Sequence, residues 1–194
     1  IEFQGCIKKA PARYLLGLTA TPYRRDGLEE IISMQCGLIR HEMGNSASSL
    51  PVKLIVRETV FGYLEEDSQN IQELFKNLAQ DEMRNSMIVQ DVLAAAAQGR
   101  RCLILGQRTD HCAALTAALA EKGVEPFMLN GLQGKKQRTT LLKAVQETPA
   151  DKPLVVVATG QYLGEGFDCP QMDALFMAAP SSFKGRLVQY VGRV

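Results

Sequence analysis

The chain has no CxxC pair. Its five cysteines, Cys6, Cys36, Cys102, Cys112 and Cys169, are scattered, and its two histidines, His41 and His111, are not grouped with them. The ligand spacing of a structural zinc site is therefore missing, and no metal site is expected. Isolated cysteines of this kind read as small core residues and point to a reducing cytoplasm. No run reaches the roughly 20 apolar residues of a membrane helix, and the opening IEFQGCIKKA lacks the layout of a signal peptide. No membrane partner is expected. A surplus of charge is missing too: 22 Lys and Arg against 21 Asp and Glu leave a net +1. Any nucleic-acid contact must then come from local basic patches and loop geometry rather than from a broadly cationic body. No GxGxxG follows a first strand, which argues against a simple dinucleotide-dependent metabolite enzyme.

What is present is a globular sequence of 194 residues, 46% hydrophobic, enough for one or two small domains with a real core. It begins without methionine and stops at QYVGRV, where an amphipathic helix is expected, so it reads as an excised fragment. GNSASSLP, 44–51, is small, polar and proline-terminated, and divides the chain into residues 1–45 and 46–194. The first part reads as a short helix or coil, a strand at YLLGL, and a short helix in GLEEIISMQCG closed at Gly37. In the second part VKLIVRETVF predicts a strand. Residues 68–98 predict helix, capped at Ser68 and broken near Asp81, with apolar Ile71, Leu74, Phe75 and Leu78 at helical spacing. Gly99 is its stop. CLILG, PFMLN, LVVVAT and ALFMAAP predict further strands. Helices lie between the first three of these, the one near residues 109–122 closed by Gly123, and another begins near Ser182 or Phe183. Short continuous apolar strands alternating with helices indicate an α/β fold with a mostly parallel sheet covered on both faces.

In such a sheet, chemistry collects at the carboxyl ends of strands. Three ends carry unusual residues. LTATPYRR follows the first apolar run. VVVATGQYLGEGFDCP ends a fully apolar strand in Thr159 and Gly160, then Glu165, Gly166 and Asp168; glycine-rich turns expose backbone amides that can hold phosphate oxygens without a cation. AAPSSFKGRLVQYVGR places Gln189, Gly192 and Arg193 at spacings of three and four, on one face of the following helix.

LLGLTATPYRRDG, ILGQRTDHCAAL, VVVATGQYLGEGFDCP and QYVGR together resemble, in order and spacing, superfamily 2 helicases and DNA translocases. The resemblance is closest to the branch holding type III restriction motor subunits and nucleotide-excision-repair-type helicases. It covers nearly the whole chain and implies the last part of one RecA-like domain followed by a second, the helicase C-terminal domain. By this resemblance Thr19, Ala20 and Thr21 are coupling residues of motif III, linking nucleotide to nucleic acid. Thr159 and Gly160 touch the nucleic-acid backbone as part of motif V. Gly166 and Asp168 lie near the ATP ribose and the domain cleft. Gln189 faces the nucleotide as part of motif VI, and Arg193 reaches the phosphates across the cleft. A guanidinium fork can neutralise charge developing on a transferring phosphoryl group in a way that a lysine cannot.

The resemblance implies ATP and Mg2+ as cofactors, nucleic acid as partner with DNA favoured over RNA, and restriction or repair proteins as further partners. It also shows what this sequence lacks. No GxxxxGKS/T loop is present, no strand-borne acidic pair precedes TATP, and the arginine that follows the family's GR by three residues has no counterpart before Val194. The fragment alone is expected to be inactive. Two other readings stay open: the motor of a restriction system, and a nonenzymatic nucleic-acid-binding or interaction module. Arg24 and Arg25 read equally as track contacts or as a solvated turn, while Lys135, Lys136 and Arg138 read more readily as ordinary surface charge than as track contacts. Phe183, Lys184 and Arg186 follow the fifth strand as candidates for contact with DNA or the opposite domain, Phe183 reading equally as core. His111 has no acid at nucleophile or metal spacing, which argues against an esterase or a metal site.

Overall fold

The computed structural model describes residues 9, 11–19, 27, 29–42, 53–62, 70–160, 171–180 and 190. These fall into two compact units, described residues up to Arg57 belonging to the first and those from Glu58 to Pro180, with Tyr190, to the second. The linker expected at 44–51 lies outside the described residues, as does the helix expected near Ser182, apart from Tyr190.

In the first unit, helix α1 spans Glu29–Cys36. It stops at Gly37, whose φ of +80° suits glycine and whose N–H donates to the Ser33 carbonyl at 2.9 Å. Gly17 packs against this helix so closely that an added Cβ would lie 3.1 Å from the Cys36 sulfur. The run around it is not a strand. Tyr14, Leu16 and Leu18 are 81%, 82% and 85% exposed, and residues 14–18 pair with no strand of the described structure. The strand expected at 52–61 is likewise absent from its described residues, with Leu54, Val56 and Val60 exposed. The physical reason is common to both. An apolar run becomes a strand only when ladder partners and a covering layer repay the ordering of its backbone.

The second unit opens with helices α2 (Ile71–Gln80) and α3 (Glu82–Ala97). Asp81 separates them as expected. Its extended backbone ends α2, and its carboxylate accepts the Arg84 N–H at 3.0 Å to start α3. The cap of α2 is Asn70, whose side chain accepts from Gln72 N–H at 3.1 Å. Ser68, the expected cap, lies outside the described residues. Strand β1 (Arg101–Gly106) follows the turn at Gly99 (φ +77°), then come helix α4 (Thr109–Glu121), strand β2 (Phe127–Leu129), helix α5 (Lys135–Glu147), strand β3 (Leu154–Thr159) and strand β4 (Ala174–Met177).

The four strands form one parallel sheet in the order β2-β3-β1-β4, which is the expected α/β class. β1 and β3 are buried along their whole length, so both faces must be covered, and their alternation separates two cores. Leu103, Leu105, Leu154, Val156 and Ala158 join Val145 of α5, Met172 and Tyr190. Cys102, Ile104, Val155 and Val157 join Val89 and Val92 of α3 with Cys112, Leu115 and Leu119 of α4. Each fully buried leucine or valine contributes roughly 1.5–3 kcal/mol. Arg101 ties down the amino edge. It is 6% exposed, and its guanidinium donates to the carbonyls of Pro149 and Thr148 and to the side chain of Gln171, while its N–H donates to Asp173.

Candidate functional site

The chain leaves β1 toward β2 on one side and returns through β3 before crossing to β4, so the direction of connection reverses between the neighbouring strands β1 and β3. A crevice at the carboxyl ends of such strands is where α/β sheets bind ligands. In register, Gly106 ends β1 beside Thr159, which ends β3. Gly160 follows Thr159, and Tyr190, from QYVGR, donates its hydroxyl to the Gly160 carbonyl at 3.0 Å. The edge extends toward β4 through Gln107, whose side-chain amide donates to the Pro180 carbonyl at 2.9 Å. Toward β2 it includes the turn from Asn130 to Gly134, held by Gln133 donating to the Met128 carbonyl and by Asn130 accepting from Leu132 N–H. Lys135 and Lys136 follow on α5, both exposed.

Two glycines give this edge its tight backbone. A Cβ added to Gly106 would meet the Cys112 sulfur at 2.6 Å, and one added to Gly160 would meet the Tyr190 hydroxyl oxygen at 2.7 Å. Neither is among the glycines with positive φ, so lack of space alone excludes larger residues. Thr159 is only 7% exposed and forms the floor of the edge; Gly160 is more open.

Beside the crevice, Arg108 stands at the entrance to α4 and is gripped by Asp110. Its Nε and Nη2 donate to both carboxylate oxygens at 2.7–3.1 Å. The fork of Arg108, with a backbone bond from His111, holds the Asp110 carboxyl below the usual carboxylate range; Asp110 in turn raises the pKa of Arg108. His111 itself is buried. Its Nε2 lies 2.8 Å from the Asn85 Oδ1, and Asn85 donates its amide to the Ala79 carbonyl at 2.8 Å. That second bond turns the Asn85 oxygen toward the ring, so Nε2 carries the proton. Burial, reinforced by the nearby Arg84 cation, lowers the His111 pKa to about 4; the ring is neutral at pH 7 and structural. Burial pushes the thiols of Cys102 and Cys112 up to about 11, which leaves them protonated and unreactive.

Of the residues singled out by sequence, Thr159 and Gly160 are brought to this edge. Thr19 is described in the first unit, where it is exposed. Ala20, Thr21, Gly166, Asp168, Gln189 and Arg193 lie outside the described residues, as do Arg24, Arg25, Phe183, Lys184 and Arg186. Sequence reasoning missed Gln107, Arg108 and Tyr190. The signal for the first two was their position immediately after a buried strand. Among the described residues no three His, Cys, Asp or Glu side chains gather as a metal site, and no helix is long and apolar enough to cross a membrane.

Residues 84–194, more than half of the chain and nearly all of the second unit's sheet and edge, match the helicase conserved C-terminal domain. The chain belongs to that family. This helicase C-terminal domain is similar to the probable helicase D10 of Escherichia phage T5, at 23% identity over 198 residues, covering 99% of this chain and 42% of that protein. It thus spans about two-fifths of the curated relative it matches. Among solved structures, T4 UvsW superimposes with a TM-score of 0.52 at 18% identity, over 66% of this chain and 25% of that one. That likeness is one of fold. The C-terminal part of the Fun30 ATPase domain gives a TM-score of 0.45 at 17% identity, over 51% of this chain and 31% of that one.

Proposed function

We propose that this helicase C-terminal domain works within a longer protein as one lobe of an ATP-driven nucleic-acid motor, its carboxyl sheet edge facing the track. The observation that carries the reading is the meeting of Thr159 and Gly160 with Gly106 at the reversal of chain connection, in a chain that belongs to the helicase family. The close-packed glycine backbone suits contact with phosphates rather than bases, and backbone contact permits movement on any sequence. Arg108 at the same edge supplies a cation.

ATP hydrolysis would supply the free energy. Gly166, Asp168, Gln189 and Arg193 are the residues proposed to meet the nucleotide, and Thr19, Ala20 and Thr21 those proposed to couple it to the track. The combination of TATPYRR, EGFD and QYVGR favours the branch of type III restriction motors and excision-repair-type helicases, with DNA as the track.

In the full-length protein, Arg193→Ala should reduce ATP hydrolysis well beyond its effect on nucleic-acid affinity, because an arginine acting on the transferring phosphoryl group contributes after binding. Equal losses in both quantities would remove that role.

A further inference from the structure

Tyr190 and Gly160 are thirty positions apart in sequence and fitted to each other. The tyrosine is 7% exposed, and its ring lies in the core formed by Leu103, Leu105, Leu129, Ala158 and Met172. Its hydroxyl reaches out of that core to the Gly160 carbonyl at 3.0 Å. The space beyond Gly160 is already taken, since a Cβ there would lie 2.7 Å from that hydroxyl oxygen and 3.8 Å from the Gly106 carbonyl oxygen. A buried aromatic ring has few rotamers to lose and holds its polar tip at a fixed place. One end of this contact is the peptide that follows Thr159 at the sheet edge. The other is Tyr190, the residue that follows Gln189 in QYVGR.

We propose that Tyr190 is a positioning residue that couples the nucleotide side of the motor to its track side, through the hydrogen bond of its hydroxyl to the Gly160 carbonyl. The inference rests on the motor reading above. A shift of Tyr190 moves the phenol, and the phenol moves the Gly160 carbonyl, one residue beyond Thr159. Tyr190 touches neither nucleotide nor nucleic acid in this role. It transmits between residues that do.

The test uses the full-length protein, with Tyr190→Phe, Gly160→Ala and the double variant, measuring ATP turnover with and without saturating DNA together with thermal unfolding. Tyr190→Phe keeps the ring and loses only the hydroxyl. The ratio of stimulated to unstimulated turnover should fall about fivefold, the worth of one net hydrogen bond, with the melting temperature lowered by no more than a few degrees. Gly160→Ala should lower the same ratio by pushing the hydroxyl away. The double variant, relieved of the clash, should match Tyr190→Phe alone, because both substitutions remove one shared contact. An unchanged ratio in a stimulated wild type would overturn the coupling role and leave the motor reading intact. A loss of melting temperature with equal falls in both turnovers would reduce Tyr190 to packing and overturn the role as well. A wild-type protein stimulated by no nucleic acid would overturn the motor reading and the coupling with it.

Discussion

His111 and Asn85 meet across the contact of α4 with α3, ring nitrogen to amide oxygen at 2.8 Å, and neither reaches water freely. This bridge ties the turn that carries Arg108 and Asp110 to the joint between α2 and α3, because Asn85 also donates to the Ala79 carbonyl. The protonated ring is disfavoured there by burial and by Arg84, and Asp110 offsets this only in part.

A pH dependence follows. The folded pKa of about 4 lies below the ordinary histidine value of 6.5, so between these values the unfolded chain binds more protons. Stability contributed by neutral His111 is full above pH 6.5 and declines as pH falls toward 4, by roughly 2–3 kcal/mol. Denaturant midpoints measured from pH 7.5 to 4.5 should show this slope in the wild type and lose much of it in His111→Gln. Identical slopes in the two proteins would assign the pH dependence to other groups.

Gly106 has a steric rather than a torsional reason to be glycine. Gly106→Ala would set a methyl 2.6 Å from the Cys112 sulfur and should cost about 1–3 kcal/mol by overpacking. Cys112→Ala in the same chain removes the sulfur, so the double variant should recover most of the loss in a denaturation experiment. Simple addition of the two single losses would show that the contact is not the cause.

The elements of the second unit were legible because each strand is an unbroken apolar run and glycines punctuate the helices. Gly99 and Gly123, at φ +77° and +82°, stand where the sequence predicts helix ends. Residues 14–18 and 53–62 carry the same kind of apolar run, and there the pattern misleads. An apolar run says that a surface needs cover but not what covers it, and the described structure leaves Leu16 and Leu54 exposed. The amino edge was illegible for the opposite reason. A buried arginine contradicts the pattern of a core strand, and Arg101 is tolerated only because distant carbonyls at Thr148 and Pro149 receive its guanidinium. At the candidate site, Thr159 and Gly160 could be found from strand and turn chemistry. Tyr190 could not, since only the fold brings it to Gly160.

The grip of Asp110 on Arg108 has a consequence for binding under the proposed function. Arg108→Ala should weaken nucleic-acid affinity similarly for unrelated sequences and lower the salt dependence by about one phosphate contact. Asp110→Asn removes the competing carboxylate and should act in the opposite direction, strengthening binding at low salt. Fluorescence anisotropy across a salt series reads both. Sequence-dependent losses in Arg108→Ala would point to base reading instead.

Steady-state ATP hydrolysis by the full-length protein, with and without duplex DNA, single-stranded DNA and RNA, tests the motor most directly. A nucleic-acid-driven motor predicts strong stimulation, greatest with DNA, and the preferred form identifies the track. Turnover that is absent, or unchanged by all three in a protein shown to be folded, would contradict the motor and leave a domain that binds without chemistry.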